Sequence, residues 1–210
     1  MSQDPDTNRR GWARRTRKFS PSYYADIGPN EVSETLVNVF DHYLPPAARI
    51  LEVGCSSGRH LEQLRQAGRY QLAGIDLNPD AFSVMRERYP TLASEGQFCV
   101  GAIETLVPMF EDRWFDAVYS VETLQHVHPD DTAVFDRLKR VTDDLLITAE
   151  NEGNGPDRGG RQTPLSMVDD GAEEFPLFYR DWYREFTDLG MAQLLVEPGA
   201  RDTIRVFRRS

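Results

Sequence analysis

Apolar residues along this chain alternate between two kinds of spacing from residue 31 onward. Short apolar runs of strand length begin near residues 50, 70, 97, 114, 143, 191 and 203. The segments between them repeat apolar residues at helical spacing, as Leu61 and Leu64 do. Strands alternating with helices predict an α/β fold, in which helices cover both faces of a largely parallel sheet. The last two runs flank Pro198-Gly199 and predict a hairpin that closes this sheet.

Helix and loop signals divide the chain further. The first helix is predicted over Glu31 to Tyr43, because Pro45-Pro46 ends it, and it lies in an N-terminal cap region over residues 19–45. Residues 1–18 are predicted to be a basic, flexible tail, and residues 19–210 a single domain. A stretch over residues 150–178, rich in Gly, Pro, Arg and Asp, is predicted to be a substrate lid or mobile loop.

Composition and charge exclude several classes of protein. The 210 residues carry a formal net charge of −10, which argues against a nucleic-acid-binding surface. Hydrophobic residues make up 40% of the chain, enough for a core, but no run of about 18 apolar residues predicts a membrane span. The basic N-terminus has no apolar stretch typical of a signal peptide. Cys55 and Cys99 indicate a reducing, cytoplasmic setting rather than a disulfide framework.

The turn after the first strand, Gly54-Cys55-Ser56-Ser57-Gly58, joins that strand to a helix. Such a turn directs backbone N–H groups and the start of a helix at a ligand. A nicotinamide-dinucleotide fingerprint requires Gly-x-Gly-x-x-Gly, and here Ser56 replaces the middle glycine. The carboxylate of Glu52, at the end of the strand, would repel a pyrophosphate and attract an ammonium or sulfonium group.

The segment from Glu52 to Gly58 resembles the first motif of class I S-adenosylmethionine-dependent methyltransferases, an acid followed by Gly-x-Gly-x-Gly. The chain is most similar to the small-molecule types 11 and 25 of that family. The resemblance implies a Rossmann-like, doubly wound sheet of seven strands whose last strand is antiparallel. It also implies S-adenosylmethionine as cofactor and S-adenosylhomocysteine as product. The residues assigned to the cofactor are Glu52, Gly54, Cys55, Ser56, Gly58, His60, Asp76, Leu77, Ala102, Ile103, Ser120 and Val121.

Two of these positions decide how the nucleoside is held. Asp76 ends the second strand near the spacing at which such folds place a ribose-binding carboxylate, and a carboxylate can accept both ribose hydroxyl protons. The family usually places an Asp where Ala102 stands, to bond the adenine amino group, and that acid is missing here. The backbone of Ala102 and Ile103 can still read the adenine edge.

Acidic and histidine side chains follow the fourth and fifth strands. Phe115-Asp116 with the later Leu124-Gln125-His126-Val127 resembles the family's fourth motif. A hydroxyl acceptor would need a general base, and the candidates are Glu122, His126 and Glu150. An alternative for His126 is packing beneath the cofactor loop. His126 and His128, near Asp130 and Asp131, lack the helical spacing of a zinc protease pair, so no metal is predicted.

Aromatic residues beside one arginine are the candidates for substrate contact. They are Tyr23, Tyr24, Tyr179, Arg180 and Trp182, and packing into the core is the alternative for each. The predicted function is methyl transfer from S-adenosylmethionine to an O or N atom of a small molecule, by a monomer or homodimer. A nicotinamide-dependent oxidoreductase and a non-catalytic protein that binds S-adenosylmethionine remain the alternatives.

Overall fold

A computed structural model describes residues 4–69, 71–153, 164–169, 174–199 and 201–210. Strands and helices alternate through most of this length. The strands are β1 Ile50–Val53, β2 Leu72–Asp76, β3 Gln97–Val100, β4 Phe115–Val121, β5 Thr142–Glu150, β6 Pro164–Asp169, β7 Glu174–Phe178, β8 Met191–Pro198 and β9 Thr203–Arg209. The helices are α1 Pro5–Ala13, α2 Pro21–Ile27, α3 Glu31–Tyr43, α4 Arg59–Gln66, α5 Asp80–Arg88, α6 Pro90–Glu95, α7 Ile103–Leu106, α8 Ala133–Val141 and α9 Trp182–Thr187.

Seven strands form one sheet in the order β3-β2-β1-β4-β5-β9-β8. The strands β1 to β5 pair in parallel, and β9 runs antiparallel to both of its neighbours, β5 and β8. This topology confirms the predicted doubly wound, Rossmann-like sheet of seven strands with an antiparallel last strand. The strand order reverses at β1, whose neighbours are β2 and β4, and ligands bind outside the carboxyl ends of strands at such a reversal.

Helices cover both faces of the sheet, and each face has its own apolar core. On one face Leu36 and Phe40 of α3 and Leu61 of α4 pack against the strands. On the other face Phe135 of α8 and Trp182 of α9 are buried. The apolar residues of β1 are buried on both faces, which explains why this strand is a continuous apolar run interrupted by one acid.

The N-terminal residues differ from the predicted flexible tail. The side chain of Asp4 accepts hydrogen bonds from the first backbone N–H groups of α1, and Pro5 occupies the first turn. The helix then packs on the domain: the Arg9 guanidinium lies 2.6 Å from the Asp131 carboxylate, and the Trp12 ring centroid lies 4.5 Å from that of His126. The prediction was wrong because it counted the basic residues and overlooked the cap and the tryptophan.

The predicted lid over residues 150–178 also differs from a loop where the structure describes it. Strands β6 and β7 pair antiparallel as a separate two-stranded sheet. The remaining parts of that prediction, residues 154–163 and 170–173, lie outside the described residues. Gly, Pro and Asp dominate the composition of the segment and obscure the strand signal of the hairpin.

Candidate functional site

A cavity of about 1020 Å³, part of it open to solvent, lies at the carboxyl ends of β1, β2 and β4. Helices α1 and α2 cover it. Nine of the predicted cofactor residues line it: Glu52, Gly54, Cys55, Ser56, His60, Asp76, Leu77, Ile103 and Val121. Tyr24, Glu122 and His126 line the same space. The fold therefore brings together residues that are more than 100 positions apart in the chain, at the point where the strand order reverses.

The turn between β1 and α4 forms the floor of this cavity. Gly54 has φ +71°, and a Cβ there would lie 2.0 Å from Oγ1 of Thr123, so this position needs glycine for conformation and for space. Ser56 has φ +48° although it is not glycine. Its backbone N–H donates to Oδ2 of Asp76 at 2.7 Å, which ties the turn to the end of β2.

Two carboxyl groups face the cavity from neighbouring strands, that of Glu52 buried and that of Asp76 half-buried. Tyr119 Oη donates to Oε2 of Glu52 at 2.9 Å, and burial raises the pKa of Glu52 to about 8. Asp76 accepts from the N–H groups of Ser56 and Asn78, and burial raises its pKa to about 6. Both acids are therefore held where a bound cation or hydroxyl donor would favour their ionised forms.

Arg59 supplies a positive charge beside these acids. It lines the cavity, and its guanidinium stacks on the ring of Tyr24 at 5.0 Å from the centroid. Its charge lowers the pKa of Glu52, although burial dominates the net shift. This end of the cavity thus holds an acid and a guanidinium, which suits a ligand carrying both an ammonium and a carboxylate.

Glu122 and His126 line another wall of the cavity. Glu122 has φ +49°, a strained conformation for a residue with a side chain, and its carboxylate lies 3.1 Å from Nη1 of Arg201. Burial, followed by the charge of Glu122, raises the pKa of the adjacent Asp202 to about 8. His126 Nδ1 lies 3.0 Å from the carbonyl oxygen of Pro176, which can only accept, so Nδ1 carries the proton. Burial lowers the pKa of His126 to about 4, so the ring is neutral near pH 7.

Comparisons with known proteins show what this chain is similar to. A family profile described as "Methyltransferase domain" matches residues 50–144, which is less than half of the chain. The ubiquinone biosynthesis O-methyltransferase of Xanthomonas axonopodis pv. citri is 36% identical over 90 residues, covering 43% of this chain and 36% of that protein. The O-methyltransferase cnsE of Penicillium expansum is 29% identical over 118 residues, covering 53% and 43%. The chain matches less than half the length of either relative.

Solved structures share the fold of this chain at low identity. The PH0226 protein from Pyrococcus horikoshii OT3 superposes with a TM-score of 0.69 at 19% identity, over 92% of this chain and 97% of that one. Magnesium protoporphyrin IX methyltransferase (ChlM) from Synechocystis PCC 6803, solved with bound SAM, gives a TM-score of 0.63 at 17% identity, over 98% and 90%. These similarities support the observed order of strands.

Some of the predicted cofactor residues lie elsewhere in the described structure. Gly58, Ala102 and Ser120 are not among the described cavity-lining residues. Gly58 instead lets α4 approach α5 and α6, since a Cβ there would lie 2.7 Å from Cε of Met85. Ser120 Oγ donates to the carboxylate of Glu150.

Glu150 is a structural acid rather than a catalytic one. It is fully buried, and the backbone N–H groups of Thr123, Leu124 and Gln125 all donate to its carboxylate, at 3.0 to 3.2 Å. Burial raises its pKa to about 7. The prediction placed it correctly at the edge of the sheet, but its oxygens hold the loop after β4 and it is not among the described cavity-lining residues.

Among the five predicted substrate residues, Tyr24 lines the described cavity and the other four do not. Tyr23 packs edge-on against Tyr24, with ring centroids 5.5 Å apart. Tyr179 lies against Gly153. Arg180 donates to the carbonyl oxygens of Leu124 and Val127, and Trp182 is fully buried against Phe135. The aromatic cluster near Arg180 therefore anchors α9 to the core, as the alternative interpretation held.

Sequence reasoning missed several cavity residues. They are Asn8, Arg9, Trp12, Phe19, Arg59, Glu104 and Thr123. Three of them belong to α1, and the Asp-Pro pair that begins this helix was the available signal.

Residues 4–69, 71–153, 164–169, 174–199 and 201–210 contain no group of three or more His, Cys, Asp or Glu side chains placed to hold a metal ion. Within the same ranges, no helix is both long enough and apolar enough to cross a membrane.

Proposed function

We propose that this protein binds S-adenosylmethionine in the cavity and transfers its methyl group to an O or N atom of a small molecule, with S-adenosylhomocysteine as product. The observation that carries this proposal is the pair of acids at adjacent strand ends around the glycine turn, the buried Glu52 and the half-buried Asp76. The methyltransferase family match supports it. So do methyltransferases of the same fold that were solved with bound SAM or S-adenosylhomocysteine.

The residues present fit such a cofactor. Glu52 would pair with the ammonium of the methionine part, and Arg59 with its carboxylate. Asp76 keeps acceptor capacity beyond its two backbone hydrogen bonds and would accept the ribose hydroxyls. Leu77 and Ile103 line the cavity beyond Asp76 and would flank the adenine. The lining of the cavity therefore changes along its length, from charged residues where the methionine part would bind to apolar residues where the adenine would bind.

When bound, this cofactor supplies a methyl group on a positively charged sulfur. The acceptor lone pair forms the new bond to the methyl carbon while the carbon–sulfur bond breaks, and the acceptor's proton must leave when the acceptor is a hydroxyl. Glu122 and His126 are the cavity residues that can take that proton. His126 carries its own proton on Nδ1, so Nε2 is the basic nitrogen. Tyr24 would cover the reacting end.

A small-molecule acceptor fits the charge and the cavity. The net charge of −10 opposes binding of nucleic acid phosphates, and a concave cavity at the ends of the strands is the kind of site that binds small ligands. Two relatives are named O-methyltransferases. We also propose a cytoplasmic location, because Cys55 and Cys99 are both free thiols.

The test is binding followed by turnover. Unfolding temperature would be measured with S-adenosylmethionine, S-adenosylhomocysteine and NAD in parallel, for the wild type and for Asp76→Ala. A ligand at about 100 times its dissociation constant adds ~2.7 kcal/mol, which is roughly 5–11 °C for a chain of this size. We expect this shift with the two sulfur ligands in the wild type and its loss in the variant.

Turnover separates an enzyme from a binding protein. Transfer of a radiolabelled methyl group from S-adenosylmethionine would be measured against a panel of phenols, catechols and amines. A shift with NAD alone would overturn the proposal in favour of an oxidoreductase. Binding of both sulfur ligands without transfer to any acceptor class would favour the non-catalytic alternative.

A further inference from the structure

The side chain of Asn8 has an unusual environment for a residue so close to the N-terminus. It is 4% exposed and lines the cavity. Its Nδ2 donates to the backbone carbonyl oxygen of His126 at 2.7 Å. Its Oδ1 is buried and has no hydrogen-bond partner among the described residues. A buried acceptor without a hydrogen bond is destabilising, so this oxygen is suited to accept a hydrogen bond from a ligand.

The orientation of this amide follows from its one partner. A carbonyl oxygen can only accept, so the NH₂ group of Asn8 must face His126 and Oδ1 must lie on the opposite side of the amide. The helix that carries it is held at several points. Asn78 Nδ2 donates to the carbonyl oxygen of Arg15 at 2.9 Å, and Arg9 pairs with Asp131. The free acceptor is therefore preorganised.

The side chain of Asn8 contacts the backbone of His126, and the helix that carries it also reaches Glu104, beside the predicted adenine residues. The adjacent Arg9 also lies 3.7 Å from the carboxylate of Glu104, the residue that follows Ile103 in α7. Ile103 and Glu104 line the same cavity, whereas Ala102 supplies no side-chain acceptor. The ammonium of the ligand would lie at the other end, with Glu52. An exocyclic amino group of a purine is the donor that remains for this end.

We propose that Oδ1 of Asn8 accepts a hydrogen bond from the exocyclic amino group of the adenine, so that helix α1 reads the base. The inference rests on the proposed function, since it assumes that an adenosyl ligand occupies the cavity. It makes Asn8 a specificity-determining residue that selects adenine over purines without a donor at that position. A site that leaves a buried acceptor unpaired rejects the analogue that lacks the donor.

The experiment compares two ligands by titration calorimetry. One is S-adenosylhomocysteine, and the other is the same molecule with unsubstituted purine in place of adenine. The wild type should bind the purine analogue about 5- to 100-fold more weakly, the range expected when one buried acceptor loses its donor. In Asn8→Ala this preference should fall close to one, because neither ligand then has a partner at that position.

Two further variants serve as controls. Arg10→Ala alters an exposed residue of α1 and should keep the wild-type preference. Glu104→Ala removes the other carboxylate at this end of the cavity and should also keep it. Equal weakening of both ligands in Asn8→Ala would overturn the inference, because loss of helix docking affects both alike. Loss of the preference in Glu104→Ala but not in Asn8→Ala would overturn it as well.

Failure of the underlying function gives a different result. If the wild type binds neither ligand, the proposed function fails and this inference fails with it. If the wild type binds both ligands equally, the proposed function stands and the role of Asn8 is refuted.

Discussion

The buried hydrogen bond between Tyr119 and Glu52 should control cofactor affinity through the ionisation of Glu52. The variant Tyr119→Phe removes the hydroxyl that donates to Oε2 at 2.9 Å and keeps the ring that packs on Phe40. In the free protein the pKa of Glu52 is raised to about 8, so most molecules hold this carboxyl protonated at pH 7. An ammonium ligand requires the ionised form, so binding must first remove the proton.

The expected loss of affinity follows from the difference between the pKa of Glu52 and the pH of the assay. With a pKa of about 8, ionising Glu52 at pH 7 costs about 1.4 kcal/mol. A hydrogen bond to a charged group contributes about 1.5–3 kcal/mol, and without it the pKa rises by roughly 1–2 further units. The affinity of Tyr119→Phe for the ligand at pH 7 should therefore be about 10- to 100-fold lower than that of the wild type.

The assay is calorimetric titration with S-adenosylhomocysteine at pH 7 and pH 9. Ionisation of the ligand itself cancels, because both proteins are compared at each pH. At pH 9 the wild-type Glu52 is already ionised, so the deficit of Tyr119→Phe should shrink by about tenfold. A deficit of equal size at both pH values, or no deficit at pH 7, would refute the assignment of Glu52 as the group that must lose its proton.

Three further predictions concern the turn and the two acids. Asp76→Asn should weaken S-adenosylhomocysteine binding by roughly tenfold or more in the same titration, because the amide has less acceptor capacity than the carboxylate. Gly54→Ala should lower the free energy of unfolding in urea by about 2–4 kcal/mol, through strain at φ +71° and overlap with Thr123. Without ligand, the wild type should lose stability relative to Glu52→Gln as pH rises from 5 to 8. The reason is that the pKa of Glu52 is higher in the folded protein than in the unfolded chain. Its contribution to stability is therefore complete at pH values below the ordinary pKa of 4.5 and is lost as the pH rises to about 8.

The predictions for Gly54 and for the pH dependence can each be refuted. Gly68→Ala matches Gly54→Ala, because Gly68 has φ +89° but a Cβ there would meet nothing within 4 Å in the described part of the chain. It should cost only the conformational strain of about 1 kcal/mol. Equal losses in the two alanine variants would show that Thr123 does not restrict Gly54. Parallel stability curves for the wild type and Glu52→Gln from pH 5 to pH 8 would contradict the raised pKa.

The order of strands and the centre of the site could be read from the sequence. Apolar periodicity is a local property, and the chain order of strands with helical crossovers leaves few topologies for a parallel sheet. The same reasoning places Glu52 and Asp76 at one edge, because the carboxyl ends of adjacent parallel strands meet there. The register pairs β1 with β2 from Ile50 and Leu72 onward, as this argument requires.

The roles of acids at that edge were decided by the tertiary structure. Glu122 and Glu150 both follow a strand, and both were equal candidates for a catalytic base. Three backbone N–H groups of the loop after β4 converge on Glu150, whereas Glu122 lines the cavity beside Arg201. Which of the two acids accepts hydrogen bonds from the backbone depends on the path of a loop, and the path of a loop leaves no periodic signal in the sequence.

Local sequence patterns were also unable to predict which helix covers the cavity. A cap at Asp4 can start a helix, but it cannot show that the helix docks 118 positions away, where Asn8 meets the backbone of His126. The aromatic and arginine residues around Trp182 are the opposite case. Their sequence pattern predicted contact with a substrate, whereas the structure packs them in the core. Composition and spacing determined what chemistry this chain can hold. The long-range contacts decided which side chains face the ligand, because burial and hydrogen bonding are set only when distant segments meet.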